Sequence, residues 1–130
     1  MLFRLIRWLN EGPSEPYLKD WFSVHYDQTK VELAANPPRR RAWSQSFEWS
    51  TVERVCFKDE GLEASDVLYV FTSLRPESFV IPVEAKGGDE FFNELVSRGL
   101  FPAQLMKEAA LSIDGRHYCW PPTVNEKTDA

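Results

Sequence analysis

Cysteine, histidine, methionine and glycine are scarce in this chain of 130 residues, which holds two Cys, two His, two Met and six Gly. Two cysteines cannot build the framework of spaced bridges that staples small secreted domains. Cys56 and Cys119 each sit in a hydrophobic, strand-like run, where a thiol packs as a small hydrophobe. Two buried thiols are therefore expected, and a disulfide requires that their strands be neighbours. His25, His117 and the two cysteines are the only soft ligands for zinc. Structural zinc sites draw on close ligand pairs, and only His117 and Cys119, two apart and on one side of a strand, come near that pattern. No metal and no cofactor are assigned. The single Gly-Gly pair, Gly87-Gly88, fits neither a dinucleotide fingerprint nor a P-loop. Asp89 and Glu90 stand where an anion would have to bind, which excludes phosphate at that point.

Positive charge is also in deficit. The formal charge is -5, with Lys and Arg numbering 15 against 20 Asp and Glu, so the clustered basic surface of a duplex-binding protein is not expected. A basic protein partner suits this balance. There is no apolar run of the roughly 20 residues needed to span a bilayer. In MLFRLIRWLN the arginines interrupt the hydrophobic residues and no small-residue cleavage site follows, so neither a transmembrane segment nor a signal peptide is read, and the cytoplasm is the expected location. The carboxylates show no spacing that pairs an acid with a base. A Cys–His nucleophile would need an exposed thiol. No catalytic residue is assigned, and a non-enzymatic protein is expected.

Aromatic residues, by contrast, make up 14% of the chain, ample for the core of one domain of this length. The sequence divides into an N-terminal helix with its connector (1–16), a single α+β domain (17–122) and a polar tail (123–130). In the first part Leu2, Leu5, Ile6 and Leu9 fall at helical spacing, with Arg4 and Arg7 off the stripe. That helix docks on the domain or, given Phe3 and Trp8, rests at a membrane interface. Asn10-Glu11-Gly12-Pro13 ends it.

Alternation predicts a strand over Trp21–Tyr26, with Phe22, Val24 and Tyr26 inward, a turn over Asp27–Lys30 and a second strand containing Val31 and Leu33. Pro37-Pro38 stops it. Arg39, Arg40 and Arg41 follow, the one dense positive patch on an acidic chain. Arginines grip carboxylates or phosphates with two parallel hydrogen bonds, although adjacent residues of an extended chain point to opposite faces. Trp43, Phe47 and Trp49 then alternate with polar residues, which predicts a strand with one aromatic face. Arg39, Arg40, Arg41 and Trp43 are the candidate ligand-binding residues.

A bend at Ser50-Thr51 leads to a strand over Glu53–Lys58, with Val55 and Phe57 on one side and Cys56 on the other. The loop DEGLEASD from Asp59 to Asp66 lacks the alternating oxygen ligands of a calcium loop and reads as a solvated connector. Val67–Phe71 and Phe79–Val83 are apolar on both faces, which predicts a hairpin covered on both sides and central in a sheet, turning over residues 73–77. Asp89 is placed to cap an amphipathic helix bearing Phe91, Phe92, Leu95 and Val96, with Gly99 as its left-handed terminator. Pro102 suits the first turn of a second helix reaching about Ser112, with Leu105, Met106 and Ala109 as its stripe. Asp114-Gly115 signals a turn and His117–Trp120 a last strand.

The residues Trp49-Ser50-Thr51-Val52 with Val55, Tyr69-Val70-Phe71, Val80-Ile81-Pro82 and Phe91-Phe92-Asn93-Glu94-Leu95 resemble the bacterial pleckstrin-homology-like domains. That resemblance implies a bent sheet or split barrel closed by a helix. The block CFKDEGL…LYVFTSLRPESFVIPVEA…GGDEFF…RGLFP…CWPP, within about residues 40–122, is similar to a family of small uncharacterised bacterial proteins and implies no activity. The chain departs from the first pattern in its second helix and final strand. The expected fold is α+β: a mostly antiparallel, twisted sheet of six or seven strands with two C-terminal helices and a short N-terminal one. The expected function is a cytoplasmic protein-interaction module of inhibitor or immunity type. The alternatives are a domain binding a small anionic ligand or lipid headgroup, and a small enzyme without a recognisable motif.

Overall fold

Strand alternation survives in three dimensions. In the computed structural model, which describes residues 18–59, 66–112 and 115–122, seven strands are found among the described residues. They are β1 (Phe22–Tyr26), β2 (Lys30–Ala35), β3 (Trp43–Glu48), β4 (Val52–Lys58), β5 (Val67–Thr72), β6 (Arg75–Pro82) and β7 (His117–Trp120); helices α1 (Gly88–Ser97) and α2 (Ala103–Leu111) lie between β6 and β7. The N-terminal helix and connector, most of the acidic loop, Asp114 of the expected turn and the tail 123–130 lie outside the described residues.

The strands form two antiparallel sheets, ordered β1-β2-β3 and β6-β5-β4-β7. The fold is α+β, as the sequence predicts. In β2, Val31, Leu33 and Ala35 are buried while Lys30, Glu32 and Ala34 are exposed, so a slip of one residue would put every apolar side chain in water. Phe47 of β3 meets Phe79 of β6 at 4.7 Å between ring centroids, which joins the inner faces of the two sheets. Helix α1 fills the remaining gap between them. Its Phe91 stacks on Trp49 at 5.6 Å and its Phe92 on Phe57 at 5.6 Å. Phe91, Leu95 and Phe101 are fully buried, each contributing roughly 1.5–3 kcal/mol by leaving water.

Several local expectations are corrected. Of the predicted central hairpin only β5 is interior, and β6 is an edge strand whose Pro76 and Pro82 suit a position without a neighbour to bond. The connection is a two-residue turn at Ser73-Leu74, so β6 begins at Arg75 rather than after Glu77. Leu68, Val70, Phe79 and Ile81 face the core, whereas Tyr69, Phe71 and Val80 are half-buried on the reverse side. Tyr26 and Trp43 sit at the rim, each 37% exposed. Trp49 leaves the strand for a short 3-10 turn, where its indole N–H donates to the Asp27 carbonyl at 2.8 Å. The expected solvated acidic loop opens on a buried carboxylate: Asp59 accepts the Gly115 N–H at 3.1 Å. Helix α1 starts at Gly88 behind a left-handed Gly87, with no side-chain cap, so Asp89 lies in the first turn and acts only on the dipole. Its C-terminus is as predicted. Gly99 has φ 76, and the Gly99 and Leu100 N–H groups return to Val96 and Leu95 carbonyls.

Cys56 and Cys119 are direct register partners in β4 and β7 and form a disulfide. The expectation of two free thiols fails because the chain folds the last strand onto the edge of β4, a pairing between residues 63 apart.

The β1–β2 turn is closed by Asp27, whose Oδ1 accepts the Thr29 and Lys30 N–H groups, both at 2.8 Å. Those two bonds stabilise the carboxylate form and hold Asp27 below its ordinary value of 3.8. A depressed carboxylate adds stability above its unfolded pKa and loses it as pH falls through the folded value. Carboxyl-carbon NMR should therefore place the Asp27 midpoint below 3.8. Asp27→Asn should flatten the acid limb of the stability profile; an ordinary midpoint would refute the role of the turn bonds.

Candidate functional site

Residue Ser23 of β1 lies beside Ala34 of β2, and Ala34 beside Ser44 of β3. Direct partners on adjacent strands share a face, so three small side chains stand abreast on the outer side of the first sheet. The row extends one place further. Lys86, in the connection leading to α1, forms a parallel bridge to Ser23. The Val24 N–H donates to the Lys86 carbonyl at 2.8 Å and the Lys86 N–H to the Phe22 carbonyl at 2.9 Å. A groove of about 630 Å³ follows this row, bounded also by Lys19, Trp21 and His25.

Two lysines meet one carboxylate, Asp20, among the groove residues. Lys19 and Asp20 are themselves engaged in further contacts. No carboxylate among the described residues pairs with the Lys86 ammonium, and Lys86 is exposed. Trp21 is held by its main chain, its N–H donating to Leu18 and its carbonyl accepting from Asn36. It is only 7% exposed, and its indole N–H finds no acceptor among the described residues. A buried donor left in that state costs about 1–3 kcal/mol.

The sequence-predicted residues divide. Trp43 borders the groove, its ring on the Phe22 side of the sheet at 5.4 Å and edge-on to that ring. Arg39, Arg40 and Arg41 do not border it. They are exposed in the β2–β3 connection, where Arg39 takes a left-handed turn at φ 62 and the Arg40 N–H reaches the Pro37 carbonyl at 3.3 Å. Lys19, Lys86 and Trp21 are the groove residues that sequence reasoning missed. The Gly87-Gly88 pair was the available signal for Lys86, because glycines mark a close approach of backbones.

A second hollow of about 440 Å³ beside Trp49 and Arg98 is structural. Arg98 there bonds Glu94 at 2.8 Å, donates to the Asp27 and Gln28 carbonyls and lies 4.1 Å over the Trp49 ring. It clasps the end of α1 to the β1–β2 turn. The four-ligand arrangement of His25, His117, Cys56 and Cys119 is not assembled, since both sulfurs are bonded to each other and the histidines lie in different sheets. The same bond removes the thiol that a Cys–His nucleophile would need. No helix among the described residues is long and apolar enough to cross a membrane. Compared with known protein families, curated proteins and solved structures, the chain finds no match in any of the three.

Proposed function

We propose that this chain is a non-enzymatic binding module whose groove along Lys86, Ser23, Ala34 and Ser44 takes a small ligand bearing an anionic group. The observation that carries the reading is the exposed Lys86, with no carboxylate partner among the described residues, at the end of a groove that Lys19 also borders. An ammonium donates and cannot accept, so the complementary group is an oxyanion. The bacterial pleckstrin-homology-like resemblance belongs to the same proposal. Two facing antiparallel sheets with a helix between them support it, although both helices precede β7. The disulfide favours an oxidising setting over the cytoplasm.

Inorganic phosphate and acetate are the probes. Each should raise the melting temperature of the disulfide-bonded protein as its concentration passes Kd, with about 2.7 kcal/mol gained at 100 Kd. Lys86→Gln should abolish most of the gain, and absence of any shift up to high millimolar anion overturns the reading. The charge of -5 favours a second reading, a protein-interaction module of inhibitor or immunity type with a basic partner. Capture by a cationic surface that weakens steeply with salt and is indifferent to Lys86→Gln would select it.

A further inference from the structure

We infer that the ligand of this groove is a flat aromatic carboxylate, its charge at Lys86 and its ring laid across Ser23, Ala34 and Ser44. This rests on the anion-binding reading above and assigns the body of the ligand.

The floor is the first argument. Side chains that stand abreast on neighbouring strands are about 4.8 Å apart, so the row from Lys86 to Ser44 spans roughly 14 Å across three strand spacings. Beyond the lysine it offers one methyl and two hydroxymethyl groups. No side chain in this part of the row is tall enough to interrupt a planar body, and Ala34 and Ser44 are both exposed. Two ring-bearing residues border the groove beside Ser23, Trp21 just ahead of β1 and His25 within it. The result is a slot with low ground in the middle and aromatic shoulders at one end, which suits a ring of one or two fused cycles. A volume of about 630 Å³ lies within the range usual for small organic ligands.

Polarity is the second argument. The cation stands at the end of the row, not over its middle, so the ligand must carry its charge at one end. A carboxylate offers two oxygens with about four lone-pair sites, enough for the lysine and for a serine hydroxyl beside it. Serines 23 and 44 provide hydroxyls along the body for polar ring substituents.

The test compares acetate, cyclohexanecarboxylate and 2-naphthoate by calorimetry on the wild-type protein and on Ala34→Leu, Ala34→Ser and Lys86→Gln. Expected is at least tenfold tighter binding of 2-naphthoate than of either other acid. Ala34→Leu, at an exposed strand position where the fold tolerates it, should erase that preference while leaving acetate affinity within twofold. Ala34→Ser should keep it. Lys86→Gln should weaken all three acids at least tenfold, the size expected for the loss of a hydrogen bond to a charged group. Equal affinity for acetate and 2-naphthoate, or a preference that survives Ala34→Leu, overturns the aromatic assignment and leaves the anion reading standing. Failure of all three acids to bind removes both.

Discussion

Breaking the Cys56–Cys119 bridge lowers the stability of the folded chain by about 4 kcal/mol, the value that the loop-closure relation gives for a separation of 63 residues. The physical reason lies in the unfolded chain, which regains the freedom that the crosslink removed. Against the 5–15 kcal/mol typical of a domain this is a large fraction, and it corresponds to a fall in Tm of roughly 10–20 °C for a chain of this size. Cys119→Ala is the variant of choice because Cys119 is only half-buried while Cys56 is 6% exposed. Denaturant melts of the wild type with and without dithiothreitol should show the reduced protein matching the variant. The first amides to lose protection should be those of β7, whose only strand neighbour among the described residues is β4. Midpoints indifferent to both reductant and substitution would show that the bridge contributes nothing.

Gly87→Ala should cost about 3 kcal/mol and weaken anion binding with it. Two effects add at this position. Its φ of 82 is one that L residues adopt only at a cost, and a Cβ there would lie 2.3 Å from the Val24 carbonyl oxygen, an atom of a strand that cannot yield. Relief requires the backbone of Gly87 to move away from β1, and Lys86 immediately before it would lose its bridge to Ser23. Gly99 provides the internal control. It has a similar φ of 76, but a Cβ added there would meet nothing within 4 Å, so Gly99→Ala should cost only about 1–2 kcal/mol and leave binding unchanged. Equal costs at the two glycines would show that conformation alone, and not the close approach, sets the requirement.

Periodicity made most elements legible because it is local. The period-two burial of β1 and β2, the aromatic stripe of α1 and its terminator at Gly99 each depend on residues a few places apart. The misreadings are non-local. The apolar reverse face of β5 and β6 invited a fully covered hairpin, yet Tyr69, Phe71 and Val80 are only half-buried there and β6 ends the sheet. Arg39, Arg40 and Arg41, adjacent in the chain, are exposed and do not line the groove. Adjacency in an extended segment scatters charges, whereas the groove draws Lys86 and Ser23 together from opposite halves of the domain.

By itself the amino-acid order determined the α+β class, the strands and helices and most of the core, since each follows from alternation, helical spacing and turn chemistry over short stretches. Only the tertiary structure decided which strands became edges, that two sulfurs would meet, and which cations share a groove with a buried indole. Those outcomes depend on contacts between positions some sixty residues apart, where loop closure and packing choose among arrangements that the local pattern leaves equally open.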